Sequence, residues 1–546
     1  MLGRGPDDSC SAGVKRTSCA LALKPRESPV ALPVRTLSRL VVFCVAAAAL
    51  IAAIDRIRAP MTTLSIRSFH VGQTPVTEFA LPEPAPDAPA VVIAHGFAGS
   101  RQLMHPVAVT LANAGHRAFV FDFPGHGRHP SPLTGSITDP EGATRVLVAS
   151  TLELVAHARS STTGPVALVG HSMATDVIVR AADEARPDAT VLISMFSPAA
   201  TAERPPNALV VVGALEPGML GTEARRVVNQ VAALDDPAEV TPGKTYGRWA
   251  EGTARRLVVA PGVEHISVLY SKTMLTATRD WLEALPGAPD AEVVPWHLDR
   301  RGPWIAVLLA ATVALAWPLA RLLPEVAREP SGAGRGWRSL WPVLVVPMLV
   351  TPAVLRFVPT GFLPILVGDY LAAHFGLYGI LTVATLAATR APFRTGRAAT
   401  RPLALSVAGL AVAAYGTFAF GGAIDFSFAN FHPGPGRWPL IAAMLAGTLP
   451  FYLATEWATR GPGAARGGHP AAKGAFLVSL AIAVALDVER LFFLIIIVPA
   501  ILIFFGVLGL FAEFAYRRTR HPLPGAFGNA VALAWALGVT FPMLGG

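Results

Sequence analysis

Apolar residues follow two different patterns along the chain. In the middle of the chain, short apolar runs alternate with longer stretches of mixed polarity. Within each run, polar and apolar residues do not alternate. That pattern is typical of strands buried on both faces of a parallel sheet. With helical segments between most of the runs, residues 60–300 are predicted to form an α/β sheet with crossover helices. The runs are VVIAH (91–95), AFVFD (118–122), VALVG (166–170), TVLIS (190–194), ALVVVG (208–213) and RLVVA (256–260).

Much longer apolar stretches begin at Trp304 and continue to the end of the chain. Most reach the length that a helix needs to cross about 30 Å of hydrocarbon. Residues 303–546 are therefore predicted to be an all-α polytopic transmembrane domain with about eight helices. The stretches lie near 304–322, 340–357, 361–389, 402–422, 438–457, 474–487, 491–514 and 526–544.

The N-terminal region differs from both, because a polar, basic segment there precedes a short apolar run. Residues 1–39 are polar and carry seven Lys and Arg residues, which predicts a disordered cytoplasmic tail. An apolar run follows at 40–54 with no convincing cleavage site of the small-x-small type, so residues 40–56 are predicted to be an uncleaved signal-anchor helix.

Composition agrees with a membrane protein. The chain is 52% hydrophobic and 15% charged, against about 25% charged residues in soluble proteins. This excludes a disordered protein and disfavours a wholly soluble one. The three cysteines, Cys10, Cys19 and Cys44, all lie near the N-terminus, so no disulfide framework is expected.

The net charge of +9 is unevenly distributed, and its distribution predicts the topology. Alternate loops of the membrane region hold 14 basic residues, whereas the intervening loops hold three. The positive-inside rule then places the N-terminus in the cytoplasm, residues 56–302 outside and the C-terminus outside, provided that 361–389 crosses an odd number of times. A bacterial cytoplasmic membrane, with the α/β domain on its periplasmic or extracellular side, is the predicted location. The positive excess therefore reflects membrane topology, and no nucleic-acid partner is expected.

The candidate chemistry begins with Ser172, in the segment Gly170-His171-Ser172-Met173-Ala174 directly after a predicted strand. Small residues on both sides of a serine allow a sharp strand–turn–helix elbow, which presents the hydroxyl above the sheet. Ala174 stands where the G-x-S-x-G pattern has its last glycine.

Two further strand ends supply candidate partners for this serine. Glu216 follows the run at 208–213, and His265 follows the run at 256–260. Side chains at the C-terminal ends of strands converge in an open α/β sheet. A serine hydroxyl needs a base to become a nucleophile, and an imidazole base needs a carboxylate to fix its tautomer. Asp235 and Asp236 are the alternatives to Glu216 as the acid.

These motifs, in this order, resemble the α/β-hydrolase superfamily of serine esterases, lipases and serine peptidases. HGFAGS (95–100) resembles its oxyanion loop, DFPGHG (122–127) its Asp-x-x-Gly-x-Gly segment, and GHSMA (170–174) its nucleophile elbow. The resemblance implies a doubly wound, mostly parallel sheet. It also implies Ser172 as nucleophile, His265 as base and Glu216 as acid, with the backbone N–H groups of Phe97 and Met173 forming the oxyanion hole. The acid is more often Asp in this family.

The surroundings of the site are less defined by sequence. Only about a dozen residues separate the runs at 190–194 and 208–213, so little room exists there for a lid. In the insertion at 217–255, Met219, Tyr246 and Trp249 either cover the site or pack the crossover helix. No histidine pair at i, i+4 and no cysteine near the site suggests a metal, and no cofactor is expected.

The sequence thus predicts a membrane-bound serine hydrolase that cleaves an ester, thioester or amide of a small-molecule or lipid-like acyl substrate through an acyl-enzyme, in contact with membrane lipids. Two alternatives stay open. One is an acyltransferase with the same triad, and the other is a transport or assembly protein whose hydrolase-like domain is an inactive binding module. In the membrane region, Asp369 and His374 are the most central ionisable pair, but their five-residue offset defines no site. Most of the ionisable residues there, Glu456 among them, are expected near span ends, where snorkelling or interfacial placement explains them.

Overall fold

Nine strands form one sheet in the computed structural model, which describes residues 34–136, 140–285, 298–389, 400–434 and 436–545. Their order across the sheet is 1-2-4-3-5-6-7-9-8. Six of the strands run parallel to one another, namely the third to the seventh and the ninth in chain order. The strands are β1 (Ser65–Val71), β2 (Thr74–Ala80), β3 (Ala90–Ala94), β4 (Arg117–Phe121), β5 (Val166–His171), β6 (Ala189–Ile193), β7 (Ala208–Gly213), β8 (Thr245–Tyr246) and β9 (Arg255–Ala260).

The six parallel strands are those that the apolar runs predict, and the predicted α/β class is confirmed. Sequence reasoning did not foresee β1, β2 and β8, which pair antiparallel at the two edges. β2 is buried throughout although it contains Glu78, because that carboxylate pairs with Arg67 and Arg117. Because β2 contains polar residues, it is not an apolar run and was not predicted as a strand.

Helices cover both faces of the sheet. One apolar core joins the sheet to the third, fourth and fifth helices, and a second core joins its other face to the second and sixth. This is the doubly wound arrangement. The helices are α1 (Val34–Arg58), which precedes the sheet, and α2 (His105–Asn113), α3 (Arg145–Ser160), α4 (Met173–Ala185), α5 (Gly218–Ala232) and α6 (Lys272–Leu282).

A helical region follows the sheet. Within the described residues, nine helices, α1 included, are long and apolar enough to cross a membrane, as expected of a multi-pass membrane protein. Only Gly368–Ala388 is helical within the ambiguous stretch 361–389, and it forms a single helix. The helices are α7 (Arg301–Leu319), α8 (Trp337–Leu355), α9 (Gly368–Ala388), α10 (Pro402–Ala414), which continues through a π-helical turn into α11 (Gly421–Ser427), α12 (Arg437–Thr459), α13 (Gly468–Leu486), α14 (Val488–Thr519) and α15 (Leu523–Thr540).

Several sequence predictions concern residues that are only partly described. Most of the predicted cytoplasmic tail at 1–39 and of the basic loop at 390–401 lies outside the described residues. The predicted signal-anchor segment at 40–56 falls within α1, whose Ala53 and Ile57 pack against Ile305 and Leu308 of α7.

Glu456 lies near the end of α12, as expected, but is not exposed there. Its side chain is almost completely buried on α12 and lies 3.1 Å from Arg460, 2.6 Å from His469 and 3.6 Å from Lys473. Because a buried carboxylate is stable only when it is paired and hydrogen-bonded, these partners explain how the charge is accommodated. Ion pairing within the helical region is what the structure shows for this carboxylate.

Candidate active site

Ser172 sits on a strained turn between β5 and α4. Its φ of 55° and ψ of −121° lie outside the regions that serine ordinarily occupies. The turn is tight, because a Cβ on Gly170 would come within 2.9 Å of the Ala174 carbonyl oxygen. Ala174 itself is fully buried within the first turn of α4, so the methyl group that replaces the usual last glycine is accommodated.

His265 approaches this serine from the loop after β9. Its Nε2 lies 2.8 Å from Ser172 Oγ, although 93 residues separate the two along the chain. The backbone carbonyl of His265 accepts a hydrogen bond of 2.9 Å from His171 Nε2, which holds the loop beside the elbow. The imidazole is thus placed to take a proton from the hydroxyl.

Glu216 completes the chain of hydrogen bonds. Its Oε2 accepts from His265 Nδ1 at 3.2 Å, while its Oε1 accepts from the Ser194 hydroxyl at 2.6 Å and the Gly213 N–H at 2.9 Å. The carboxylate side chain is fully buried. Both of its oxygens are therefore occupied, and the one left for the imidazole fixes a proton on Nδ1 and a free electron pair on Nε2.

The ionisation of Glu216 follows from these contacts. Burial alone raises the pKa of a carboxyl group, but the hydrogen bonds from His265, Ser194 and the Gly213 N–H outweigh it, and the pKa lies below its ordinary value. The group is consequently an anion at neutral pH, as an orienting acid must be.

The alternative acids do not reach the imidazole. Asp236 caps a short helical turn by accepting from the Ala238 N–H at 2.8 Å, and neither it nor Asp235 hydrogen-bonds His265 in the described residues. Glu264 accepts from the N–H groups of Ile266 and Ser267 and so shapes its own loop.

The N–H groups of Phe97 and Met173 lie on two turns that flank Ser172. Gly96 lies so close to the elbow that a Cβ there would come within 2.9 Å of Ser172 Cβ. In the part of the chain that the structure describes, neither N–H donates to a protein acceptor. An oxyanion hole requires N–H donors that have no acceptor in the protein itself, so both groups stay candidates for that role.

Three buried histidines support the site without approaching the serine hydroxyl. Burial lowers the pKa of His95 to about 4, and that of His126 and His171 to about 3. His95 donates from Nδ1 to the Gly96 carbonyl and accepts the Phe123 N–H at Nε2. As neutral rings, they brace the turns that carry Phe97 and Ser172.

Asp122 organises the loop that follows β4. Its carboxylate accepts the N–H groups of Arg101 and Arg128 at 2.8 and 3.1 Å. Gly127, at a φ of 52°, passes so close that a Cβ there would lie 2.3 Å from an Asp122 oxygen. The DFPGHG segment thus has a structural role and ties the oxyanion turn to the next loop.

Two aromatic residues of the insertion between acid and base pack against the domain. Trp249 lies against Trp281 with ring centroids 4.7 Å apart, and the Tyr246 hydroxyl accepts the Thr241 N–H. Met219 is 58% exposed. Of the two readings of this insertion, packing therefore describes Tyr246 and Trp249.

Two contributors to the site were missed by sequence reasoning. Ser194 hydrogen-bonds Glu216, and its own positive φ of 55° at the end of β6 gives no signal in the sequence. Phe493 of α14 packs on Phe97 with ring centroids 4.7 Å apart. No local pattern connects residues that are almost four hundred positions apart.

The three neutral histidines predict that acid destabilises the fold. Their pKa values lie below the 6.5 of the unfolded chain, so below about pH 6.5 the unfolded chain binds protons that the folded chain does not. Each histidine then lowers the free energy of unfolding by about 1.4 kcal/mol per pH unit, down to its folded pKa. We expect the Tm of the full chain in detergent to fall between pH 7 and pH 5. His126→Asn should weaken this dependence, whereas the same change at the exposed His70 should not, and a Tm equal at both pH values would contradict the argument.

The chain was compared with known proteins. Residues 85–236 match the model of the family described as serine aminopeptidase, S33. No curated protein sequence matches the chain.

Similar solved structures align over about two fifths of this chain and over nearly all of their own length. A lidless α/β serine hydrolase from Xanthomonas campestris is 18% identical and aligns over 42% of this chain and 98% of its own, with a TM-score of 0.30. A dienelactone hydrolase from Anabaena variabilis is 17% identical over 41% and 97% of the two chains, with a TM-score of 0.28. Est1E from Butyrivibrio proteoclasticus is 14% identical over 40% and 97%, with a TM-score of 0.28.

Proposed function

Since the sheet domain of this chain belongs to the α/β-hydrolase superfamily, we propose that the protein is a membrane-bound serine hydrolase that cleaves a carboxylic ester, thioester or amide. Ser172 attacks the carbonyl carbon, and His265 Nε2 takes the hydroxyl proton and then delivers it to the leaving group. Glu216 holds the imidazole in the required tautomer, and the N–H groups of Phe97 and Met173 stabilise the oxyanion. Water, activated by the same imidazole, releases the acyl group.

The observation that carries this proposal is the unbroken hydrogen-bonded series from Ser172 through His265 to Glu216. Its last member is buried and has both oxygens occupied. A serine that is merely part of a turn needs neither a base at 2.8 Å nor a strained backbone. Such strain favours a functional role over a structural one.

We also propose that the sheet domain lies outside the cytoplasm. The support is the charge of the loops, since the loops rich in Arg and Lys are expected in the cytoplasm. The sheet domain contacts the opposite, Arg-poor loops, where Asn430 bonds Ser100 and Met543 bonds Gly125.

A single labelling experiment tests both proposals. A membrane-impermeant biotinylated fluorophosphonate is expected to label the protein on intact cells. Ser172→Ala should abolish labelling, whereas Ser160→Ala, at an exposed helix end, should retain it. Labelling only after permeabilisation would refute the outward placement. Absence of labelling of the folded wild type under both conditions would instead favour an inactive binding module within a transport or assembly protein.

A further inference from the structure

The membrane helices contribute a wall to the candidate active site. Phe493, in the second turn of α14, packs against the ring of Phe97, whose N–H belongs to the proposed oxyanion hole. On the adjoining turn, the Asn430 N–H donates to the Ser100 hydroxyl at 3.0 Å. The site is therefore bordered directly by the region that enters the bilayer.

The C-terminal segment holds this border in place. The Met543 N–H donates to the Gly125 carbonyl at 2.9 Å, and the Met543 carbonyl accepts the Leu133 N–H at 2.8 Å. Arg437 of α12 donates to the same Gly125 carbonyl at 2.9 Å. The loop anchored by Asp122 is thus fixed to two membrane elements.

A cavity of about 530 Å³ adjoins these contacts. Arg490 and Leu491 line it and precede Phe493 on α14 by three and two residues, about 4.5 and 3 Å along the helix axis. Leu544 also lines it, next to Met543. Its volume lies within the range of about 300–1,000 Å³ that is usual for ligand sites. The rest of the wall is the loop 360–367 with Asp369, Tyr370 and Gly545.

The polar side chains on this wall already have partners. Asp369 Oδ1 accepts the Tyr370 N–H at 2.7 Å, and the Arg490 guanidinium donates to the Thr360 carbonyl at 3.0 Å. The remaining surface is mostly apolar, and Phe362 on this wall is 61% exposed. Exposed apolar side chains next to membrane helices suit contact with lipid.

We propose that this cavity binds the acyl chain of a lipid ester that enters from the bilayer, with its carbonyl at Ser172. The inference rests on the proposed function and narrows its substrate to long-chain esters. In acylation, a bond forms between Ser172 Oγ and the carbonyl carbon, and the bond from that carbon to the alkoxy oxygen breaks. The serine proton passes through His265 to the leaving alcohol. Water then cleaves the acyl-enzyme and releases a fatty acid.

Substrate chain length provides the test. The purified full chain in detergent micelles is assayed with p-nitrophenyl butyrate and p-nitrophenyl palmitate, and the wild type is expected to have the higher kcat/KM for palmitate. Each methylene excluded from an apolar site costs about fourfold in binding. Leu363→Trp and Leu366→Trp, which fill the cavity from its loop, should therefore lower kcat/KM for palmitate at least about tenfold and leave that for butyrate within about twofold.

Ile503→Trp is the matched control, because Ile503 also lies in the membrane region but is 65% exposed, away from the cavity wall. It should change neither rate. Higher activity of the wild type on butyrate, or an equal fall on both esters in both loop variants, would overturn the acyl-chain site while the hydrolase proposal survives. Hydrolysis of neither ester, together with no fluorophosphonate labelling, would instead count against the proposed function itself.

Discussion

His265→Ala is expected to lower kcat for ester hydrolysis by about a millionfold, to the level of Ser172→Ala. Among the described residues, the group that hydrogen-bonds Ser172 Oγ and can accept its proton is His265 Nε2, at 2.8 Å. The neighbouring His171 is a poor replacement, since burial lowers the pKa of its imidazole to about 3. Residual activity should come from substrate binding and the oxyanion hole alone.

The measurement is steady-state hydrolysis of p-nitrophenyl butyrate by purified variants. The double variant Ser172→Ala/His265→Ala should be no slower than either single variant, because the two side chains act as one unit. His70→Ala, at an exposed position of β1, is the matched control and should retain wild-type kcat. A loss below a hundredfold in His265→Ala would assign the base elsewhere.

A strand can be predicted from the sequence when its own residues show the pattern of a buried strand. It cannot be predicted when its burial depends on residues of other strands. Each central strand is a continuous apolar run, because a strand buried on both faces excludes polar side chains, and all six runs became strands. β2 escaped because its buried Glu78 is balanced by Arg67 and Arg117, which come from other strands. Its burial is a tertiary property and has no local signature.

The same distinction applies to the candidate site. Ser172, Glu216 and His265 each follow an apolar run, so the topology of a parallel sheet is sufficient to bring them to one edge. Ser194 also follows such a run, but nothing marks a lone serine as the partner of a carboxylate 22 residues away. Its role depends on the side-chain direction that its positive φ imposes.

The contacts that the membrane region makes with the sheet domain are the hardest feature to predict from the sequence. Asp425 looks like an interfacial carboxylate near a span end, yet in the structure it pairs with Arg128 of the sheet domain at 2.9 Å. Phe493 looks like one of many lipid-facing aromatic residues until Phe97 is seen against it. A membrane span is recognised by its mean hydropathy. Because this is an average over the whole span, it does not show which individual side chains contact another domain.

Glu216→Gln is expected to lower kcat by about ten-thousandfold without unfolding the domain. The amide oxygen can keep the hydrogen bonds from Ser194 and the Gly213 N–H, which occupy Oε1 in the wild type. The amide nitrogen must then face His265 Nδ1, and because it is a donor, it favours the tautomer with the proton on Nε2. That nitrogen no longer accepts the Ser172 proton, so the base is lost while the packing is preserved.

The residues around Glu216 allow a sharp comparison. Asp236→Asn removes one of the two alternative acids, whose carboxylate caps the turn at Ala238, and it should leave kcat within about twofold. Ser194→Ala removes one of the bonds that hold Oε1 and should have an effect far below that of Glu216→Gln, because the Gly213 N–H still holds the carboxylate in place. The reverse order, with Asp236→Asn more damaging than Glu216→Gln, would assign the role of the acid to Asp236 in place of Glu216. Because the elbow, the oxyanion donors and the cavity are the same in all three variants, differences in kcat among them report on the orientation of the imidazole.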